Sequence, residues 1–212
     1  MAEGGPIECL VLDMDGVVRH WDRDHFEESA AKLGLSADEL AAIAFEEELL
    51  ASAMIGAISA ERWSEEIGRR AGERHGCAPD LAASAFLGLG WWLDDDVVSL
   101  IQVVRLHGTK VVLFSNASTQ LESDLASCGL DAEVDAVVSS ARIGLAKPDP
   151  AAFLEAARIV AVPPARCLFV DDRADNVEGA RRAGMRAAVF TGVDDLEALL
   201  VAEGLVGGAA PT

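Results

Sequence analysis

The amino-acid sequence predicts an α/β fold in three layers: a parallel sheet with helices on both faces, interrupted by an inserted helical segment. Three observations predict it. Five short apolar runs, at 7–12, 110–114, 133–138, 167–170 and 187–190, have strand character and end at polar or glycine-rich turns. Helical patterns separate them, as a parallel sheet requires, because each crossover between parallel strands needs a dozen or more residues. The alternation breaks once, at 19–94, where only helical patterns occur.

The helix signals follow in chain order. Ser36 and Glu39 form a capping-box signature, and Leu40, Ile43, Ala44, Glu47 and Leu50 continue at helical spacing. Ser59 begins a helix that ends near Gly72, and Asp80 begins another. These amphipathic helices are expected to form a cap domain at 19–94, inserted into a core made of 1–18 and 95–212. Within the core, Ser118 starts a helix that stops before Gly129, and a second helix spans 150–160. Asp175 with Glu178 reads as another capping box, closed by Gly184, and 194–202 forms the last helix. Residues 1–6 lack a basic region followed by an apolar stretch, so no secretory signal is expected. They read as a short leader and 207–212 as a tail.

Composition narrows the function. Hydrophobic residues make up 51% of 212, enough for a sizeable core. No run approaches the roughly 20 apolar residues of a spanning helix. The formal net charge of -19 repels nucleic acid and anionic membranes, so neither is expected as a partner. It also repels phosphate at long range, so an anion site must carry its own positive charge. There are three lysines, Lys32, Lys110 and Lys147, which makes a lysine beside an acidic site informative. Cys9, Cys77, Cys128 and Cys167 form no Cys-x-x-Cys pair and read as buried free thiols of a cytoplasmic protein. His20, His25, His75 and His107 lack metal-ligand spacing. Oligomeric state is not legible.

Four strand-end features carry chemistry. Asp13, Asp15 and Gly16 follow the first strand. In an extended chain, residues two apart point to one side, so both carboxylates are expected to converge where open α/β sheets bind ligands. Like charges so close raise each other's pKa, and a divalent cation relieves this. The alternative is a pair of turn aspartates that ends a strand. The run 167–170 ends in Asp171 and Asp172, with Asp175 and Asn176 next. Hard oxygen ligands gathered in this way suit magnesium, whereas Asp175 is better explained as a helix N-cap. Ser115 and Asn116 offer a hydroxyl and nearby N–H groups for phosphate oxygens, or a plain helix-start turn. Lys147 can neutralise phosphate as a point charge, on a chain stiffened by Pro148. A carboxylate approaching phosphate meets about 4 kcal/mol of repulsion per charge pair at roughly 4 Å and an effective dielectric near 20. Magnesium and Lys147 together offset it.

In this order the features resemble the haloacid dehalogenase superfamily. The matching pieces are Asp13-Met14-Asp15-Gly16-Val17, Ser115-Asn116, Lys147-Pro148-Asp149 and Asp171-Asp172 with Asn176. The runs 144–150 and 169–176 look like the branch of sugar-phosphate phosphatases and the phosphatase domain of epoxide hydrolases. The resemblance implies a Rossmann-like core with a cap and a phosphohydrolase acting on a small phosphorylated molecule. It implies Asp13 as nucleophile, forming an aspartyl-phosphate, and Asp15 as the acid and then the base. Ser115 would bind the phosphoryl group, Asn116 would line the site and Lys147 would neutralise and orient. Magnesium would be held by Asp13, the Asp15 carbonyl and Asp172, with Asp171 direct or through water. Many relatives carry an acidic residue where Arg142 stands, and Arg142 is expected to face solvent.

Rival readings remain. A dehalogenase of the superfamily typically lacks the aspartate two residues after the nucleophile, which is present here. A phosphonate-cleaving relative would want a cap lysine in apolar surroundings, and Lys32 has none. A phosphomutase shares every core residue and differs in water exclusion by the cap. A non-catalytic phospholigand-binding protein is the reading outside enzymes. Specificity is expected from the cap and from Arg19, His20, Trp21, Asp22 and Arg23 near the site opening. Trp21 is placed either to stack on a sugar face or to pack under the cap, and Trp91 and Trp92 to pack at the domain junction. A sugar phosphate or polyol phosphate suits such an opening.

Overall fold

The structure, a computed structural model, describes residues 5–87 and 90–207; most of the expected leader and tail lie outside them. In chain order, β1 (Cys9–Leu12) and β2 (Arg19–Trp21) are followed by five helices. These are α1 (Arg23–Lys32), α2 (Ala37–Ala44), α3 (Glu47–Met54), α4 (Ala60–His75) and α5 (Pro79–Leu87). Then come β3 (Trp91–Leu93), α6 (Asp95–Leu106), β4 (Lys110–Ser115), α7 (Leu121–Cys128), β5 (Ala136–Ser139), the one-turn α8 (Ser140–Ile143) and α9 (Pro150–Val160). The chain closes with β6 (Cys167–Asp171), α10 (Ala174–Arg182), β7 (Arg186–Val189) and α11 (Val193–Ala202).

Five strands form one parallel sheet in the order β5-β4-β1-β6-β7. The central strand is fully buried, and its side chains divide by parity. Leu10 and Leu12 pack toward Val97 and Ile101 of α6, Leu121 of α7 and Leu196 of α11. Cys9 and Val11 pack toward Phe153 of α9 and Ala180 of α10. Strands buried on both faces read as continuous apolar runs, and that is why the runs of β1, β4 and β6 were visible; the edge strands β5 and β7 are only half-buried. On the α9 side, Phe114, Phe153 and Phe169 meet edge-on or tilted, with ring centroids 5.0 to 6.4 Å apart.

The five helices after β2 share a separate apolar cluster, which includes Leu40, Ile43, Leu49, Trp63, Ile67 and Phe86. The indole N–H of Trp63 donates to the Ala44 carbonyl at 3.1 Å, so the largest buried side chain there has its polar atom satisfied. Ser36 and Glu39 make the expected reciprocal cap at the start of α2. A carbonyl of Pro79 lies so close to Gly68 that a Cβ there would collide with it, and α4 and α5 pack at backbone contact.

The structure corrects several expectations. The pattern from Leu40 to Leu50 is broken at Phe45 and Glu46 into α2 and α3. The stretch 19–94 is not wholly helical: β2 and β3 pair antiparallel, Arg19 with Leu93 and Trp21 with Trp91. Three residues per strand are too few to show a period, and the pairing spans some seventy residues of sequence. Asp175 does not cap α10; the N-cap position is Arg173, and Asp175 sits inside the first turn. Cys128 is exposed rather than buried, as the last residue of a surface helix. Trp92 is 54% exposed, so it does not pack at a junction; it lies against the His20 ring at 4.5 Å. Arg142 is exposed, as expected.

Candidate active site

The carboxyl ends of the three middle strands, β4, β1 and β6, deliver the site. Lys147 reaches it from the loop before α9. Its ammonium donates to Asp13 Oδ1 at 2.7 Å, to Asp171 Oδ2 at 2.8 Å and to the Phe114 carbonyl at 2.8 Å. Three donors meet three acceptors, so the ammonium is fully satisfied, with 1% of the side chain exposed. The loop that carries it is fixed by Asn116. The Asn116 amide donates to the Lys147 carbonyl and accepts from the Lys147 N–H, both at 2.8 Å. Asn116 thus positions the lysine backbone. Ser115 is buried at the end of β4 and pairs in register with Ser139.

Asp171 is fixed on every side. The Asn176 amide donates to both of its oxygens at 3.0 Å, and the Arg173 N–H donates to Oδ1 at 2.8 Å. Asp171 therefore satisfies the start of α10, in place of the capping role expected of Asp175. Asp13 Oδ1 takes the Met14 N–H at 2.7 Å as well as Lys147. Its Oδ2 has no hydrogen-bond donor among the described residues. Asp172 is exposed and lies over Gly16: a Cβ built on Gly16 would come within 2.5 Å of Asp172 Oδ2, and Gly16 has φ +91°. Only glycine fits that backbone and that approach.

Asp13, Asp171 and Asp172 each offer an oxygen within 4.8 Å of the others. One lysine among three carboxylates leaves an excess of negative charge. Burial, partly countered by Lys147 and reinforced by Asp171, pushes the Asp13 carboxyl up to about 7. Partial desolvation and then Asp171 raise Asp172 as well. A donor set of hard oxygens with uncompensated charge fits a divalent cation. Asp13 Oδ2 and Asp172 are the atoms free to hold it; Asp171 is already fully engaged.

The strand geometry does not bring the Asp15 carboxylate to this cluster. The expected convergence assumed an extended chain, but the chain turns at once. The N–H groups of Val17, Val18 and Arg19 all point to the Met14 carbonyl, at 3.4, 2.9 and 2.8 Å. Asp15 pairs instead with Arg19, Oδ1 to Nε at 2.7 Å and Oδ2 to Nη2 at 3.0 Å.

A family model described as haloacid dehalogenase-like hydrolase matches residues 7–184. The chain belongs to that family. It is 33% identical over 200 residues to Phosphatase MT3486 of Mycobacterium tuberculosis, covering 85% of this chain and 86% of that protein. It is 36% identical over 92 residues to the glyceraldehyde 3-phosphate phosphatase of Methanopyrus kandleri, covering 42% and 40%. Among solved structures, the haloacid dehalogenase family enzyme bt-2542 of Bacteroides thetaiotaomicron, in complex with magnesium and inorganic phosphate, superposes with TM-score 0.72 at 19% identity. That superposition covers 86% of this chain and 93% of the other.

As a haloacid dehalogenase-like hydrolase, the chain has one feature that sequence reasoning misplaced. Arg19, expected at the site opening, is 3% exposed and lies under the Asp15 turn. Beyond Asp15 it bonds Asp124 of α7 at 3.0 Å. Trp21, 47% exposed, has its ring centroid 4.5 Å from the guanidinium carbon, and the Trp91 ring centroid stands 5.7 Å from it. The only sequence signal was a lone arginine four residues after an aspartate. No helix of the described residues is long and apolar enough to cross a membrane.

Proposed function

We propose that this hydrolase is a magnesium-dependent phosphatase that hydrolyses a small phosphomonoester through an aspartyl-phosphate on Asp13. The observation that carries the reading is the Lys147 ammonium fixed between Asp13 Oδ1 and Asp171, with Asp13 Oδ2 left without a donor. One oxygen of the carboxylate is neutralised and oriented by Lys147 and the Met14 N–H, and the other keeps both of its lone pairs open, one for the cation and one to attack phosphorus. Asp13 would displace the alcohol from phosphorus, breaking the phosphorus–oxygen ester bond, while Asp15 protonates the departing oxygen. Water would then attack the aspartyl-phosphate, Asp15 would take its proton, and Asp13 would be regenerated. Lys147 would offset repulsion between nucleophile and phosphate, and Ser115, at the adjoining strand end, would donate to a phosphoryl oxygen. Asp13, Asp172 and the Asp15 carbonyl would hold magnesium, which would supply charge stabilisation of the transferring group.

Residues 19–94 are taken as the cap and 1–18 with 95–212 as the catalytic core. The separate apolar cluster of the helices supports that division. Trp21, with its exposed indole, is the residue we assign to the face of a sugar or polyol phosphate. The phosphorylated substrate named for the Methanopyrus kandleri relative favours the same class. The net charge of -19 supports a protein without nucleic-acid or anionic-membrane partners, and the four free cysteines support a cytoplasmic one. The test is phosphate release from a panel of small phosphomonoesters, with magnesium or with chelator, for wild type and Asp13→Asn. Magnesium-dependent release that Asp13→Asn abolishes is expected. Release that survives the substitution removes Asp13 from the mechanism.

A further inference from the structure

Arg19 is a buried cation with three side-chain hydrogen bonds, and nothing in the phosphatase reading uses it. Its guanidinium is 3% exposed. One edge makes a two-point fork with Asp15, at 2.7 and 3.0 Å. Nη1 reaches Asp124 Oδ2 at 3.0 Å, and the Gln120 amide donates to the other oxygen of Asp124 at 3.2 Å. The Trp21 ring covers its face at 4.5 Å. The arginine backbone closes the same turn, because its N–H donates to Met14 and its carbonyl accepts from Gly16, both at 2.8 Å. A planar fork held from three directions leaves Asp15 one orientation. A carboxylate has about four lone-pair sites. The fork occupies one on each oxygen and leaves the others to accept a proton.

We infer that Arg19 is a positioning residue: it holds Asp15 in the orientation that accepts the proton of the water releasing phosphate from Asp13, and Asp124 on α7 holds Arg19 in turn. The assignment rests on the phosphatase reading above. A salt bridge that only fastened the turn to α7 would contribute to stability and leave the order of the two chemical steps alone. A positioning bridge acts on the second step. With an aryl phosphate the leaving phenolate needs no proton, so the first step proceeds without help from Asp15. Hydrolysis of the aspartyl-phosphate still requires the water proton to be taken. Weakening the bridge then slows release from Asp13 while its phosphorylation continues.

The experiment uses the full chain with magnesium and 4-nitrophenyl phosphate, comparing wild type with Asp124→Ala and Arg19→Lys. Asp124 is part-buried on α7 but belongs to none of the apolar clusters, so its substitution tests the bridge without opening the core; Arg19→Lys keeps the charge and removes the fork. Both variants are expected to lose about tenfold or more in kcat, within the range general-base catalysis supplies. KM is expected to fall in step, with kcat/KM preserved and a burst of 4-nitrophenol near one equivalent of enzyme. Loss of kcat/KM with kcat and no burst, or no change in either constant, overturns the assignment alone. A wild type that releases no 4-nitrophenol overturns the phosphatase reading and the assignment with it.

Discussion

Around Lys147, three charged side chains meet in a space that exposes 1% of the lysine, 8% of Asp13 and none of Asp171. Along α4, Arg69, Arg70 and Arg74 meet Glu46, Glu66 and Glu73, and about half of Arg69 and of Arg74 stands in solvent. Both are ion-pair networks, one of three side chains and one of six. The α4 network balances three positive against three negative charges, and water solvates what the pairs do not. The Lys147 network is unbalanced by at least one negative charge and dry, so each member depends on the others. Exposed pairs contribute little because solvent competes for them. Breaking a buried pair strands a charge, a loss of about 3–5 kcal/mol.

The largest effect that would sharpen this contrast is at Lys147. Lys147→Ala leaves Asp13 and Asp171 facing each other without a cation. It is expected to abolish phosphate release and to lower unfolding stability by roughly 3–5 kcal/mol at neutral pH. Denaturant unfolding of the metal-free protein measures the second; a loss under about 1 kcal/mol, the range of exposed pairs, would erase the distinction between the networks.

The next effect has the opposite sign. The Asp13 carboxyl is pushed up to about 7 from 3.8, so the folded state binds its proton more tightly than the unfolded chain. The destabilisation is absent below about pH 4, grows as pH rises and levels off above about pH 7. In chelator, Asp13→Asn is therefore expected to be more stable than wild type at pH 8, by at most about 4 kcal/mol. The gap should close toward pH 4. Unfolding midpoints across that interval check it, and a gap that widens on acidification would refute the burial argument. The smallest effect is on α4: Arg69→Ala should leave both phosphate release and the unfolding midpoint close to wild type.

The same contrast explains what the sequence made legible. All five core strands were visible within a few residues: β1, β4 and β6 because a strand buried on both faces must be apolar along nearly its whole length, and the half-buried edge strands β5 and β7 because their short runs of alanine and valine are bounded by polar residues. The lysine cluster was visible because its members sit at strand ends, and Lys147 stands out where lysines are scarce. The Asp15–Arg19–Asp124 bridge was not. Asp15 stands outside the cation-site cluster because the chain bends at Gly16, which no alternation pattern encodes. Asp124 is brought to Arg19 by the packing of α7 across 105 residues. The ribbon of β2 and β3 was hidden for the same reason, as its two halves are local fragments without a period. Contacts within one element leave a repeat in the sequence; contacts between elements leave single residues.

That ribbon has a further consequence. The helical segment leaves the sheet region at Arg19 and returns at Leu93, and these two residues are paired neighbours. Its ends are thus already closed, and the distance between β1 and α6 does not depend on how much chain lies between them. A segment attached in this way is a graft on a fixed socket. On the proposed reading of 19–94 as a cap, shorter, longer or unrelated sequences between Trp21 and Trp91 are expected to leave the register of the strands beneath unchanged.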